Sequence, residues 1–399
     1  MINLELPDSL LQIRKTTHEF SKNVLRPVSR KYDVNEHAYP VELDIFRFKA
    51  AGSGGKKKPI DASENKAKKE GSVIGKRMIE AVAVEEMAWG DVGLMMSIPN
   101  NAPGNPALLS LASEEQLEKF GGKWTAFSIT EPSTGSDSGS VKSTAVLDGD
   151  QWVLNGEKIF VTAAERCDNA IIWATIDPSA GKSGIKPFLV EKGTPGFEVS
   201  KLEKKMGIRA SDTGSFLLKD CRIPKGNLLG DPEIRPESSE GFKGVMKSFD
   251  NIRPLVGIMA TGVSRAALDL LREKLTQEGA VLGYEHSINS LSSSEKEYHM
   301  MEASLEALRL LSWRAFWMSD NGMPNSLEAS MCKAKGGRTA TLITQKCSEL
   351  MGPLGISSET LMEKWTRDAK ILDIFEGAGQ IQHLIIARRI MGLSSDELK

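Results

Sequence analysis

Apolar positions along the chain change their period twice. Over the first 125 residues they recur at helical spacing. Leu10, Ile13, Thr17, Phe20 and Val24 mark one helical face, with Pro27 beyond it, and Met78, Val82, Glu85, Glu86 and Met87 mark a second. After residue 126 the pattern becomes that of short strands between turn signals. Val141 to Leu147 meets Asp148-Gly149-Asp150, and Trp152-Val153-Leu154 leads into Asn155-Gly156, the pair a tight hairpin turn favours. Ile159 to Thr162, Ala170 to Ile176 and Pro187 to Val190 continue it. From residue 241 the helical period returns in three stripes: Val256, Met259, Ala260, Val263 and Ala267; Leu305, Leu308, Leu311 and Phe316; Leu361, Trp365, Ala369 and Leu372. Ser292-Ser293-Ser294 reads as a loop. The expected fold is mainly α with a central β domain. Residues 1–125 form an N-terminal α-helical domain, 126–240 a middle β-barrel-like domain and 241–399 a C-terminal α-helical bundle.

Composition changes this picture little. With 40% hydrophobic and 26% charged residues among 399, the chain reads as an ordinary globular protein of two or three domains. A net charge of −2 gives no basic field to attract nucleic acid. Its apolar runs look too short to span a membrane. The segment Met1 to Leu11 carries Glu5 and Asp8 and lacks a basic leader, so no signal peptide is expected and a cytoplasmic location is. Cys167, Cys221, Cys332 and Cys347 have no CxxC spacing, and His18, His37, His286, His299 and His383 form no HxxxH pair, so no metal site is expected. A lysine-rich stretch, Lys56 to Lys69, reads either as a solvated loop or as a contact for a ligand's phosphates.

Two segments carry candidate chemistry. In Phe127-Ser128-Ile129-Thr130-Glu131-Pro132-Ser133-Thr134-Gly135-Ser136-Asp137, Pro132 and Gly135 break regular structure and let hydroxyls and backbone N–H groups converge on a polar ligand. Such a loop suits a flavin's pyrimidine edge and pyrophosphate, and it also suits a plain Ser/Thr-rich turn. In Ile374-Phe375-Glu376-Gly377-Ala378-Gly379-Gln380-Ile381-Gln382, a carboxylate stands in an apolar, glycine-loosened turn. Such surroundings disfavour its charged form and raise its pKa, which fits it to take a weakly acidic proton near neutral pH. The same residue also fits the first turn of a helix, where the dipole favours a carboxylate.

Taken together, these motifs resemble those of the acyl-CoA dehydrogenase family. Weaker agreement runs through Met206-Gly207-Ile208-Arg209, Ile223 to Asn227, Phe249 to Arg253 and Arg367 to Lys370, with Ile386-Ala387-Arg388 beyond the second motif. The resemblance implies FAD, an acyl-CoA substrate, α,β-desaturation, an oligomer and an electron-transferring flavoprotein as acceptor. It implies that Glu376 takes the α proton while the β hydrogen leaves as hydride to the flavin. It places Phe127, Ile129, Thr130, Gly135, Ser136, Phe160, Val161, Thr162 and Gln380 at the flavin. It places Ser136, Phe249, Asp250, Arg253, Gly377 and Arg388 at the substrate. One branch of the family carries its base near position 252, where this chain has Ile252 between Asn251 and Arg253, so Glu376 is the candidate.

Two departures stand out. The family's Arg-x-x-Phe-Gly motif, whose arginine reaches a neighbour's FAD, is replaced by Leu275 to Tyr284, with Glu278 and no arginine. Its Gln-x-x-Gly-Gly segment reads Glu349-Leu350-Met351-Gly352-Pro353. Both changes affect what the chain would give a neighbour, and neither touches its own flavin loop or base. The expectation is a catalytic subunit of a heteromer, such as a heterotetramer, completed by a related partner; a homotetramer holding FAD through other residues is the alternative. Ala378, where a threonine is common, removes one hydrogen bond to the flavin. An acyl-CoA oxidase, or a subunit that only completes a partner's flavin site, are the competing functions.

Overall fold

The computed structural model describes residues 5–46, 75–100, 103–234, 240–394 and 397, with backbone only at 240–249 and 251. The lysine-rich stretch 56–69 and the side chain of Phe249 lie outside the described residues.

The N-terminal helices are α1 (Asp8–Phe20), α2 (Arg26–Val34), α3 (Lys76–Met96), α4 (Gly104–Leu111) and α5 (Glu114–Phe120). Pro27 does not end the first helix. One π-helical turn, Ser21–Leu25, carries the chain into α2 without a break, and Pro27 follows directly on that widened turn. The C-terminal helices are α6 (Glu240–Gln277), α7 (Ser293–Asp320), α8 (Ser326–Leu350), the short α9 (Pro353–Ile356), α10 (Met362–Ala369) and α11 (Gly379–Met391). The serine triplet is a helix start rather than a loop: Ser292 caps α7 and exchanges hydrogen bonds with Glu295 in a capping box.

Between the helical regions, β1 (Thr125–Ser128), β2 (Thr144–Asp148), β3 (Gln151–Thr162), β4 (Asn169–Thr175), β5 (Ile185–Glu191), β6 (Phe197–Leu202) and β7 (Thr213–Pro224) form one seven-stranded curled sheet. Its strand order is β1-β4-β2-β3-β7-β6, with β5 beside β4. The hairpin turn lies at Gly149-Asp150, since Asp148 pairs with Gln151. Asn155-Gly156 does not turn. β3 runs straight through it as a bulge, with Asn155 bonded to Asp220 on β7. Gly156 has φ +149°, and a Cβ there would lie 2.2 Å from Ser143 Oγ and 2.8 Å from its Cα.

One apolar cluster joins α3 to α6, α7, α8 and α10, through residues such as Ala88, Ile258, Val263, Leu308, Ile343 and Trp365. A second fills the curl of the sheet around Trp152, Phe188 and Phe216. The expectation that no apolar run could span a bilayer is corrected on one point. Ile252–Gln277 within α6 is long and apolar enough, with mean hydropathy 1.3. It is 72% buried inside the protein, where α3, α7 and α8 cover it, as befits a core helix.

Candidate active site

The first candidate motif leaves β1 and is held from beneath. Lys158, fully buried on β3, donates to Glu131 Oε1 at 2.6 Å and to the Ile129 carbonyl at 3.4 Å. Glu131 also accepts from the backbone N–H groups of Lys142 (2.7 Å) and Ser143 (2.9 Å). Burial pulls the Lys158 ammonium down to about 8, against the attraction of Glu131. The Ile159 N–H donates to the Thr130 carbonyl at 2.9 Å, which takes this part of β3 out of its ladder with β7. Phe160, at φ +57°, is thereby turned outward and is 63% exposed. The structure thus brings Phe127, Ile129 and Thr130 together with Phe160, Val161 and Thr162. Gly135 and Ser136 lie exposed on the rim of that unit. Two hydroxyls in it, Ser128 Oγ and Thr134 Oγ1, are buried without a partner among the described residues.

The second motif is a short loop between a 3-10 turn, Lys370–Asp373, and α11. Glu376 adopts φ +57° and Gly377 φ +92°. A left-handed backbone costs a residue with a Cβ roughly 1–3 kcal/mol, so surrounding contacts must enforce it. Gln382, fully buried, does so by donating to the carbonyls of Gly377 (3.2 Å) and Glu376 (3.5 Å). A Cβ on Gly377 would lie 2.4 Å from that amide nitrogen. The residue Glu376 keeps a part-exposed edge, yet burial pushes its carboxyl up to about 7, against the pull of Arg253 and Lys333. Among the described residues its amide N–H finds no acceptor in the chain.

Charge ties this loop to α6 and α8. Arg253, 5% exposed, donates to Asp250 Oδ1 at 2.8 Å, and Ser326 donates to the same oxygen at 3.3 Å. Of the other expected residues, Gln380 is exposed in the first turn of α11 and Arg388 half-buried in its last. The two motifs are linked indirectly through the segment between β6 and β7. Met206 offers its carbonyl to Arg367 (2.7 Å), and Ile208 its N–H to Asp368 (2.6 Å), on the helix that leads to Glu376. Ile208, a β-branched residue, is also left-handed at φ +45°. Depressions of about 640 Å³ beside Gln116 and Asn227, and about 490 Å³ beside Arg338 and His383, are not lined by Glu376.

Sequence reasoning overlooked Lys158 and Lys333. The available signal was a lysine inside an otherwise buried pattern. Lys333 has Ala329 and Gly337 one turn to either side.

Comparison with known proteins fits this arrangement. Models of the N-terminal, middle and C-terminal domains of acyl-CoA dehydrogenase match residues 7–126, 126–221 and 239–391. The mitochondrial short-chain specific acyl-CoA dehydrogenase of Rattus norvegicus is 32% identical over 397 residues, covering 98% of this chain and 92% of that one. The butyryl-CoA dehydrogenase structure from Megasphaera elsdenii superposes with a TM-score of 0.82 at 27% identity, over 98% of this chain and all of its own. A structure from work on the electron transferring flavoprotein of Acidaminococcus fermentans gives a TM-score of 0.83 at 30% identity, over 98% of this chain and all of that one. Sequence, fold and motif positions therefore agree that this chain belongs to the acyl-CoA dehydrogenase family, oxidoreductases that act on a CH–CH bond of acyl-CoA.

Proposed function

We propose that the chain desaturates an acyl-CoA thioester between its α and β carbons, with Glu376 as the base. The observation that carries this reading is the Glu376 carboxyl, pushed up to about 7 by burial in a left-handed loop, against the pull of two buried cations. An α C–H beside a thioester is a weak acid. A carboxylate whose conjugate acid has a pKa near neutrality accepts its proton far better than an ordinary one. Charge then builds on the thioester oxygen and needs a donor. The uncommitted Glu376 N–H is such a donor.

The residues present fit FAD. The unpartnered hydroxyls of Ser128 and Thr134 and the outward Phe160 ring supply donors and an aromatic face within one hydrogen-bonded unit. Phe127, Ile129, Thr130, Gly135, Ser136, Val161, Thr162 and Gln380 would complete it. Bound there, the flavin would supply the acceptor for the β hydrogen as hydride. Gly377 would admit the thioester, and Ser136, Phe249 and Arg388 would line the CoA path. Asp250 and Arg253 already pair with each other, so they would wall that path. Glu376→Gln tests the reading. Turnover across straight and branched acyl-CoA thioesters should fall by about 10²–10⁴-fold, the usual contribution of a general base, while the folded absorbance and circular dichroism persist. Unchanged turnover would point to another base.

The division near residues 125 and 240, a cytoplasmic location and an electron-transferring flavoprotein as acceptor belong to the same proposal. The likeness to the Acidaminococcus chain supports that acceptor. A heteromeric assembly is part of the proposal too. Glu278 is exposed just past α6, and Glu349 is exposed and paired with Lys346 at 2.9 Å. Carboxylates at these places would repel a neighbour's pyrophosphate, so a related subunit would supply the adenine-side contacts. Full flavin content and full activity in the chain purified alone would refute the partner requirement.

A further inference from the structure

Lys333 is fully buried on α8, and among the described residues its Nζ has no hydrogen-bond partner. A buried ammonium in that condition is costly unless nearby charge compensates it. The face it occupies is defined by packing. One turn further along α8, Gly337 lies so close to the turn before the base that a Cβ there would fall 2.5 Å from Asp373 Cα. Lys333 thus stands behind the Asp373–Gly377 loop, where it is attracted by Asp373 and Glu376 and repelled by Arg253. Asp373 leans toward Lys370, 3.5 Å away, so Lys333 is left unpaired.

We propose that Lys333 is a positioning residue, whose buried ammonium holds positive charge behind Glu376 and so favours the carboxylate that accepts the α proton. This rests on Glu376 being the base. The charged groups around the carboxyl are few. Arg253 faces it from α6 and Lys333 from α8. Asp250 lies beyond Arg253, where Arg389 of α11 also acts on it, and Asp373 with Lys370 lies on the preceding turn. Arg253 is largely neutralised by Asp250 at 2.8 Å. Arg253 is the larger of the two attractions on the carboxyl, while Lys333, which makes no hydrogen bond among the described residues, divides its field between Asp373 and Glu376. Burial draws Lys333 itself down to about 8, with Asp373 and Glu376 opposing and Arg253 assisting. Its charge is therefore present through the range in which Glu376 ionises and fades above it.

A structural role and an electrostatic one predict opposite results for Lys333→Met. Removing an unpaired buried charge in favour of an apolar chain of similar volume is often neutral or stabilising. The expected Tm is equal to or above that of the parent. The Glu376 ionisation should move upward by about one pH unit or more, the usual effect of losing a nearby opposite charge. Infrared titration of the purified protein, taken as the difference from Glu376→Gln, reads this midpoint without turnover. The acid limb of the kcat/KM profile should follow it. Lys333→Arg should restore both. An unmoved midpoint in Lys333→Met, or equal shifts in the Met and Arg variants, would overturn the proposal. Should the Met variant fail to fold, Lys333→Gln carries the same test. Undiminished turnover in Glu376→Gln would sink the base assignment, while the infrared midpoint would still judge Lys333. A dead Glu376→Gln with an unmoved Lys333→Met midpoint would sink this inference alone.

Discussion

Glu376 carries a cost that its position explains. The folded carboxyl holds its proton to about pH 7, whereas an unfolded chain releases it near 4.5. Between those values the folded state binds more protons, so stability falls as pH rises through that window. The loss is about 3 kcal/mol at most, and less where solvent reaches the part-exposed side chain. Glu376→Gln should therefore melt higher than the parent at pH 8 and equally at pH 4, which thermal unfolding at the two values would check. A variant inactive yet more stable is the signature of a base held against its solvation preference. The apolar, glycine-bearing turn of Glu376 is local and stood out in the sequence, and the family resemblance singled the residue out as the candidate base. Lys333 was not legible, because only the packing of α8 on the Glu376 loop shows which face it occupies.

Elements were read well in kind and less well at their edges. The helical stripes became α1, α3, α6, α7 and α10, since period alone fixes which side of a helix can be buried. Asn155-Gly156 misled because the same pair suits a hairpin turn and a bulge, and only the partner strand β7 decides between them. Gly156→Ala should destabilise by about 2 kcal/mol or more, through positive φ and a clash that reaches the Ser143 backbone. Denaturant unfolding would show it, and Gly149→Ala, whose Cβ meets nothing within 4 Å, should cost less. Under the first motif, Lys158→Met would strand the buried Glu131 carboxylate. Breaking such a pair costs about 3–5 kcal/mol. The two backbone donors that remain on Glu131 place the expected loss at the lower end.

At the scale of the molecule, buried charge joins parts that the sequence keeps far apart. Lys364 on α10 pairs with Asp91 of α3 at 2.7 Å and with Asp368 at 2.5 Å, all at most 1% exposed. The two carboxylates outweigh burial and hold the ammonium above its ordinary range. Asp368 in turn receives the Ile208 N–H, and Arg367 beside it binds Asp33 of α2 at 2.6 Å. The clamp thus fastens α2, α3 and the sheet to the helix that delivers Glu376. Lys364→Met should lower stability by about 3–5 kcal/mol, since it leaves two buried carboxylates without their cation. The loss should appear in a single unfolding transition seen by both helical and tryptophan signals. Two transitions instead would show that the clamp does not couple these regions.

What the sequence alone determined was local in origin: the alternation of periods that yields helices, sheet and helices, and two motifs whose resemblance to a family implies a flavin and a base. Tertiary structure decided what depends on neighbours distant along the chain. It turned Asn155-Gly156 into a bulge, wrapped the long apolar stretch of α6 in other helices, and buried Lys333 one helical turn from where α8 meets Asp373. Spacing along a chain specifies which face of an element is buried; the field at a buried carboxyl is set by whichever charges packing brings near it.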